Sequence, residues 1–222
     1  GYAQLLHGME GLSPVAKEYA ATILANEYNL LHLLNDVLEF SKYEAGQTTP
    51  ILAVTDLRKL MHEITESYIN QFNSKYLSLT VDYKTDIPDA VLADAQKVTH
   101  VMSNLLSNAL KFTRKGGVTI TVSCDKVVTI DIEDTGIGVE SADHGQIFEV
   151  FSQAGNSKEH MVGTGLGLAV ARIFARMLGG DVTLVASDVG KGSLFRFTFA
   201  ARPVHSDKKN VLQISDYTAI KG

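Results

Sequence analysis

The apolar positions of this chain follow two different periods, and the change from one to the other divides it. Residues 14–44, PVAKEYAATILANEYNLLHLLNDVLEFSKYE, hold no glycine, and Tyr19, Ile23, Leu30, Leu34 and Val37 recur at helical spacing close to a seven-residue repeat. Ser13 stands where it can cap the first turn, and Pro14 where a missing N–H costs nothing. The pattern predicts one helix of about 45 Å at 1.5 Å per residue. A stripe of that length needs a partner, because an isolated amphipathic helix leaves its apolar face in water. The preceding GYAQLL segment, joined through GMEGLS, is too short to cover it. The expectation is a helical hairpin with a shortened first arm, completed by a second subunit as a homodimer. The alternative is that the stripe packs on the chain's own globular part.

Gly46 and Pro50 end the long helix. Beyond them the spacing alternates between strand and helix periods. Asp56 to Asn73 is amphipathic helix, and LSLTVDY (77–83) alternates as a strand. Asp94 can cap a helix running through Phe112. GVTITVSC (117–124) and KVVTIDIED (126–134) predict a hairpin around Asp125-Lys126. Residues 139–162 read as a long loop with a short helical piece. Leu166 to Leu178 is helix ended by Gly179-Gly180, and 181–187 and 193–200 are strands around Gly190-Lys191-Gly192. NVLQIS (210–215) is an edge strand or the start of a further domain. The division is 1–46 truncated helical hairpin, 47–52 linker, 53–202 α/β domain and 203–222 tail; the fold class is α+β.

Composition narrows the function. An apolar fraction of 45% and a charged fraction of 20% are those of a globular protein. Net charge is −5 with no basic block, which argues against nucleic acid as the main partner. The single cysteine, Cys124, excludes an internal disulfide framework and suits the cytoplasm. No apolar run is long enough to span a bilayer, and GYAQLLHGME is no signal peptide, so any membrane anchor lies outside this sequence.

Three groups of residues carry candidate chemistry. Asn104 and Asn108 share one helix face, extended by Lys111. An amide oxygen is a credible Mg²⁺ ligand beside phosphate oxygens and water, and a neighbouring lysine meets phosphate charge. Alone, the two asparagines equally read as caps or helix bridges. Asp134-Thr135-Gly136-Ile137-Gly138 follows a strand: a carboxylate there can accept a hydrogen bond from the exocyclic amine of adenine, and the glycines admit a flat ring. Alone, it is also a common turn. Gly163-Thr164-Gly165-Leu166-Gly167 opens a helix, whose first N–H groups suit phosphate oxygens. Its spacing and late position argue against a dinucleotide fingerprint. Phe148 and Phe151, between the glycine turns, read as core anchors or as pins for a flap over a nucleotide.

Taken in order, NLLSNALKFT, DTGIG, IFEVF, GTGLGL and GKGSLFRF resemble the N box, first glycine box, phenylalanine box, second glycine box and final glycine hairpin of sensor histidine kinases. LLNDVLEFSKYEAG resembles the end of the second helix of their dimerisation and phosphotransfer hairpin. The resemblance covers roughly residues 1–202 and extends to hybrid kinases of two-component systems. It implies a two-layer α/β sandwich of the histidine-kinase ATPase (Bergerat) type, with an ATP lid between the glycine boxes. Asn108 would bind Mg²⁺, Asn104 and Lys111 would face the phosphates and carry catalysis, and Asp134 would hold adenine. Gly136, Gly138, Phe148, Phe151, Gly163, Thr164, Gly165, Leu166 and Gly167 would form the rest of the ATP pocket. The implied activity is phosphoryl transfer from ATP to a histidine, then to an aspartate of a response-regulator receiver domain. The protein would be cytoplasmic, alone or as the inner part of a membrane-anchored receptor.

The sequence departs from the family pattern at Val139-Glu140, where a proline is frequent, at Val162 and at His100. A phosphoacceptor motif like HE(L/I)RTP is expected just ahead of GYAQLL, which is where this sequence opens. His7 and His32 lack its context, and His62-Glu63-Ile64 is followed by Thr65-Glu66-Ser67 without proline. The favoured expectation is a fragment beginning after the acceptor. The alternative is a vestigial dimeric module acting by phosphatase activity or by binding another kinase.

Overall fold

The computed structural model describes residues 13–46, 49–84, 87–152, 165–200 and 202–203. Helix α1 (Pro14–Glu44) starts at Ser13, whose Oγ accepts from Ala16 N at 3.2 Å. After it come β1 (Ala53–Thr55), α2 (Leu57–Ser74), β2 (Ser78–Tyr83), β3 (Val91–Ala93) and α3 (Ala95–Phe112). The chain continues through β4 (Gly117–Cys124), β5 (Val128–Asp134), α4 (Gly167–Met177), β6 (Asp181–Asp188), β7 (Gly192–Phe199) and β8 (Arg202–Pro203). Asp56 and Asp94 cap α2 and α3, accepting from Lys59 N at 2.9 Å and Lys97 N at 3.1 Å.

The main sheet has the order β2-β4-β5-β7-β6, with β2 parallel to β4 and all other pairs antiparallel. Parallel neighbours need a crossover, and the chain between β2 and β4 supplies it through α3. Alternation decides which face is covered. Ile120, Val122, Ile130, Ile132 and Phe197 point inward and are fully buried with Met61, Val98, Leu106 and Val170 from the helices. Arg196 pairs with Asp131 across the other face through two hydrogen bonds, each 2.7 Å. This is a two-layer α/β sandwich, and it joins the long helix in an α+β fold.

Four expectations are amended. A small sheet β1-β3-β8 was not anticipated, its strands being too short to show a period. β5 begins at Val128 rather than Lys126, because Cys124 pairs with Val128 and leaves Asp125 to Val127 as the loop. The helical piece after Gly138 is a run of turns, in which Gln146 N and Glu149 N bond to carbonyls three residues back, with one helical bond from Ile147 N to Asp143 O. Residues 202–203 pair with β3, so the small sheet takes in Pro203, the first residue of the stretch read as tail. NVLQIS lies outside the described residues.

Helix α1 rests on α4 and buries Ala20 to 3% exposure, while Tyr19, Ile23, Leu30, Leu34 and Val37 are exposed. No helix among the described residues is long and apolar enough to cross a membrane.

Candidate functional site

Helix α3 is the spine of the site, and it is fixed at both ends. At its start Asp94, 3% exposed, caps Lys97 N, pairs with Lys97 Nζ at 3.3 Å and accepts Ile51 N at 2.8 Å. At its end Lys75 Nζ donates to Leu110 O at 2.9 Å, and Ile137 N donates to Phe112 O at 3.2 Å. The last bond seats the Asp134 turn directly on the helix that carries the asparagines.

Asn104 is 5% exposed, and a Cβ on Gly167 would stand 2.7 Å from its Oδ1. Glycine at 167 therefore lets the first turn of α4 close onto the amide. Asn104 Nδ2 is buried without a hydrogen-bond partner among the described residues, as is Thr113 Oγ1. An orphaned buried donor of this kind costs about 1–3 kcal/mol unless something binds it. Leu166, the residue preceding α4, makes no side-chain cap hydrogen bond to the helix. Asn108, one turn on from Asn104, is half-buried. Lys111 is also half-buried, its Nζ 4.3 Å from the Phe112 ring centre, and burial lowers its pKa from the ordinary lysine value. No carboxylate among the described residues forms an ion pair with it.

Asp134 ends β5 at 7% exposure. Burial pushes its carboxyl above the ordinary range, and bonds from Gly136 N, at 2.8 Å, and from the Ser193 backbone hold it back. A Cβ on Gly136 would come 2.6 Å from Asp134 Oδ1 and 2.8 Å from Phe112 O. Gly138 has φ 72° and presses against the Asp188 carbonyl, so only glycine fits there. Gly190 N donates to Ile137 O at 2.7 Å, tying the glycine turn to the β6–β7 hairpin.

Two hydroxyls that sequence reading missed complete this end. Ser187 Oγ accepts Val139 N at 2.7 Å and lies 3.0 Å from Ser193 Oγ. The two serines are cross-strand partners, a signal present in the hairpin around Gly190-Lys191-Gly192 once its register is known. Phe148 packs edge-on against Phe195 at 6.4 Å between centroids. Phe151 is 72% exposed with φ 64°, so it is no core anchor; its N donates to Gly165 O at 3.0 Å. His100 packs on Phe174, centroids 4.8 Å apart. The site thus brings Asn104, Gly167 and the start of α4 together, and Asp134, Gly136 and the end of α3 together. Gly163 and Thr164 lie outside the described residues.

Comparison with known proteins follows the same lines. The family described as histidine kinase-, DNA gyrase B-, and HSP90-like ATPase matches residues 93–203, half of the chain. The histidine-protein kinase BarA of Escherichia coli K12 is 36% identical over 193 residues, covering 84% of this chain and 21% of that protein. The sensor protein GacS of Pseudomonas syringae is 33% identical over 221 residues, covering 96% of this chain and 24% of that protein. The chain thus spans under a quarter of the length of these curated relatives. Full-length ShkA in complex with AMPPNP superposes with a TM-score of 0.74 at 29% identity, over 91% of this chain and 42% of that one. The Acinetobacter baumannii histidine kinase AdeS shares the fold, with a TM-score of 0.67 at 20% identity over 90% of each chain. The asparagine helix, the acid-led glycine turn and the start of α4 all fall within the matched span, and with these relatives they show that the chain belongs to the histidine kinase-, DNA gyrase B-, and HSP90-like ATPase family as a histidine kinase catalytic domain.

Proposed function

We propose that this chain binds ATP between Asp134 and the first turn of α4 and donates its γ-phosphate to a histidine ring nitrogen, from which it passes to a receiver aspartate. The observation that carries the reading is Asn104: a buried amide whose Nδ2 has no hydrogen-bond partner among the described residues, set against Gly167 at a helix start with no side-chain cap among them. A phosphate oxygen satisfies both the amide and the α4 N–H groups. In the reading, the Asp134 carboxylate accepts from the adenine amine, a match that guanine with its carbonyl cannot make. Lys111, with no carboxylate paired to it among the described residues, faces phosphate. Asn108 supplies an amide oxygen for Mg²⁺. When bound, that ion neutralises phosphate charge and orients the transferred group.

Asn104 also bears on what the chain does with ATP. A carboxylate at this position would act as general base toward water; an amide cannot accept a proton, so hydrolysis goes unassisted and the γ-phosphate is kept for a histidine. The comparisons support a kinase core, and the relatives named above are sensor kinases. A homodimer formed through the exposed stripe of α1 is part of the same proposal. The test is Asn104→Glu, assayed for phosphate release. The expected result is a rise in ATP hydrolysis of at least about tenfold, within the range general-base catalysis supplies. An unchanged rate would remove the argument from the amide.

A further inference from the structure

Arg172 lies outside the groups described so far, yet it joins three elements. From α4 its Nε and one terminal nitrogen donate to the two oxygens of Asp181, at the start of β6, at 2.9 and 3.2 Å. Its guanidinium carbon also lies 4.8 Å from the centre of the Phe148 ring. That ring belongs to the stem, residues 139–152, that follows the Asp134 turn, and it packs edge-on to Phe195 on β7. The ends of the stem are fastened by Val139 N to Ser187 Oγ, at 2.7 Å, and by Phe151 N to Gly165 O, at 3.0 Å. Phe148 and the buried Ile147 hold its middle.

The Asp181 fork gives Arg172 its orientation. A bidentate pair fixes the guanidinium plane, which a single contact from a lysine does not. Arg176 Nε adds a second cation at 3.4 Å from Asp181 Oδ1. Burial pushes the Asp181 carboxyl up, but the bonds from Arg172 and Val182 N and the charges of both arginines outweigh it and leave it below the ordinary range. The carboxylate therefore stays ionised and the fork stays closed at neutral pH.

We infer that Arg172 is a positioning residue for nucleotide binding: held by Asp181, it braces the face of Phe148 and so keeps the stem docked on α4, the helix that Gly165 and Leu166 lead into and Gly167 opens. The inference rests on the ATP reading above. It gives Phe148 a role that packing alone does not, because a cation over the ring face fixes the ring's plane as well as its depth.

A double-mutant cycle separates this from a merely structural ion pair. Mg²⁺–ATP is titrated by calorimetry into the wild type, Arg172→Ala, Arg172→Lys, Phe148→Leu and the Arg172→Ala/Phe148→Leu double variant, with a thermal melt of each. Arg172→Ala should raise the dissociation constant by about fivefold, the upper end for a half-exposed cation–π contact. Arg172→Lys should recover part of it. The double variant should bind no more weakly than Phe148→Leu alone, since the arginine acts through the ring. In parallel, amide exchange at Ile147 and Phe151 should accelerate in Arg172→Ala. Additive losses, or a fall in melting temperature with ATP affinity unchanged, would overturn the inference and leave the ATP reading standing. A wild type that does not bind ATP would overturn the ATP reading, and this inference with it.

Discussion

The two ends of the site are built on opposite plans. Around Asp134 the protein answers the carboxylate itself: Gly136 and Ser193 backbone N–H groups meet it, and Ser187 joins Val139 to the β6–β7 hairpin, with Thr113 Oγ1 at the end of α3 the exception among the described residues. Around Asn104 it does not, since the amide Nδ2 is orphaned and α4 starts without a side-chain cap among the described residues. Helix α3 makes the contrast plain, because its own N-terminus is capped by Asp94. A pocket for a flat base has to be formed in advance, since stacking and hydrogen bonding to a ring demand fixed walls. A place for phosphate can stay electrostatically incomplete, because the charged ligand completes it.

Substitutions at the two ends should therefore fail differently. The largest effect is expected from Gly138→Ala, which puts a side chain at positive φ against the Asp188 carbonyl. It should cost about 2–3 kcal/mol of folding stability, read by urea unfolding without nucleotide. A loss below about 0.5 kcal/mol would mean that the Asp134 end is not built as rigidly as described. At the other end, Asn104→Leu removes an amide whose donor has no partner among the described residues, so the melting temperature without nucleotide should hold or rise rather than fall. ATP affinity should nonetheless fall about tenfold, as for loss of a hydrogen bond to a charged group. A strongly destabilised protein would show that Asn104 serves the fold.

The smallest effect concerns pH. The folded pKa of Asp134 is raised, so the native state holds its proton more tightly than the unfolded chain and stability falls as pH rises through that window. The folded pKa of Asp181 is lowered, so its contribution is present above the ordinary aspartate range and is lost as pH falls through the folded value. Melts of Asp134→Asn and Asp181→Asn between pH 3 and 7 should diverge from the wild type with opposite slopes. Parallel slopes would contradict the assigned environments.

Much of this was legible in the sequence, for physical reasons that differ by element. Val118, Ile120 and Val122 alternate because one sheet face is covered, and Asp56 and Asp94 announce helix starts because a carboxylate can cap free N–H groups. β1, β3 and β8 left no trace, since two or three residues show no period. The asparagine helix and both glycine turns were readable as types. That Asn104 meets Gly167 was not, because helix–helix proximity is a tertiary fact. Ser187, Ser193 and Arg172 went unread for the same reason: each acts through a partner on another element. In α1 the pattern gave the stripe, and the structure shows Tyr19, Ile23, Leu30, Leu34 and Val37 exposed along it.

The most direct test of the central claim is a calorimetric titration of Mg²⁺–ATP into the wild type and Asp134→Ala. The account predicts one site in the wild type and a loss of about 100-fold or more in the variant, as for a buried charge-assisted hydrogen bond, with the fold intact by circular dichroism. No binding by the wild type, or a variant that binds ATP as well as the wild type does, would contradict it.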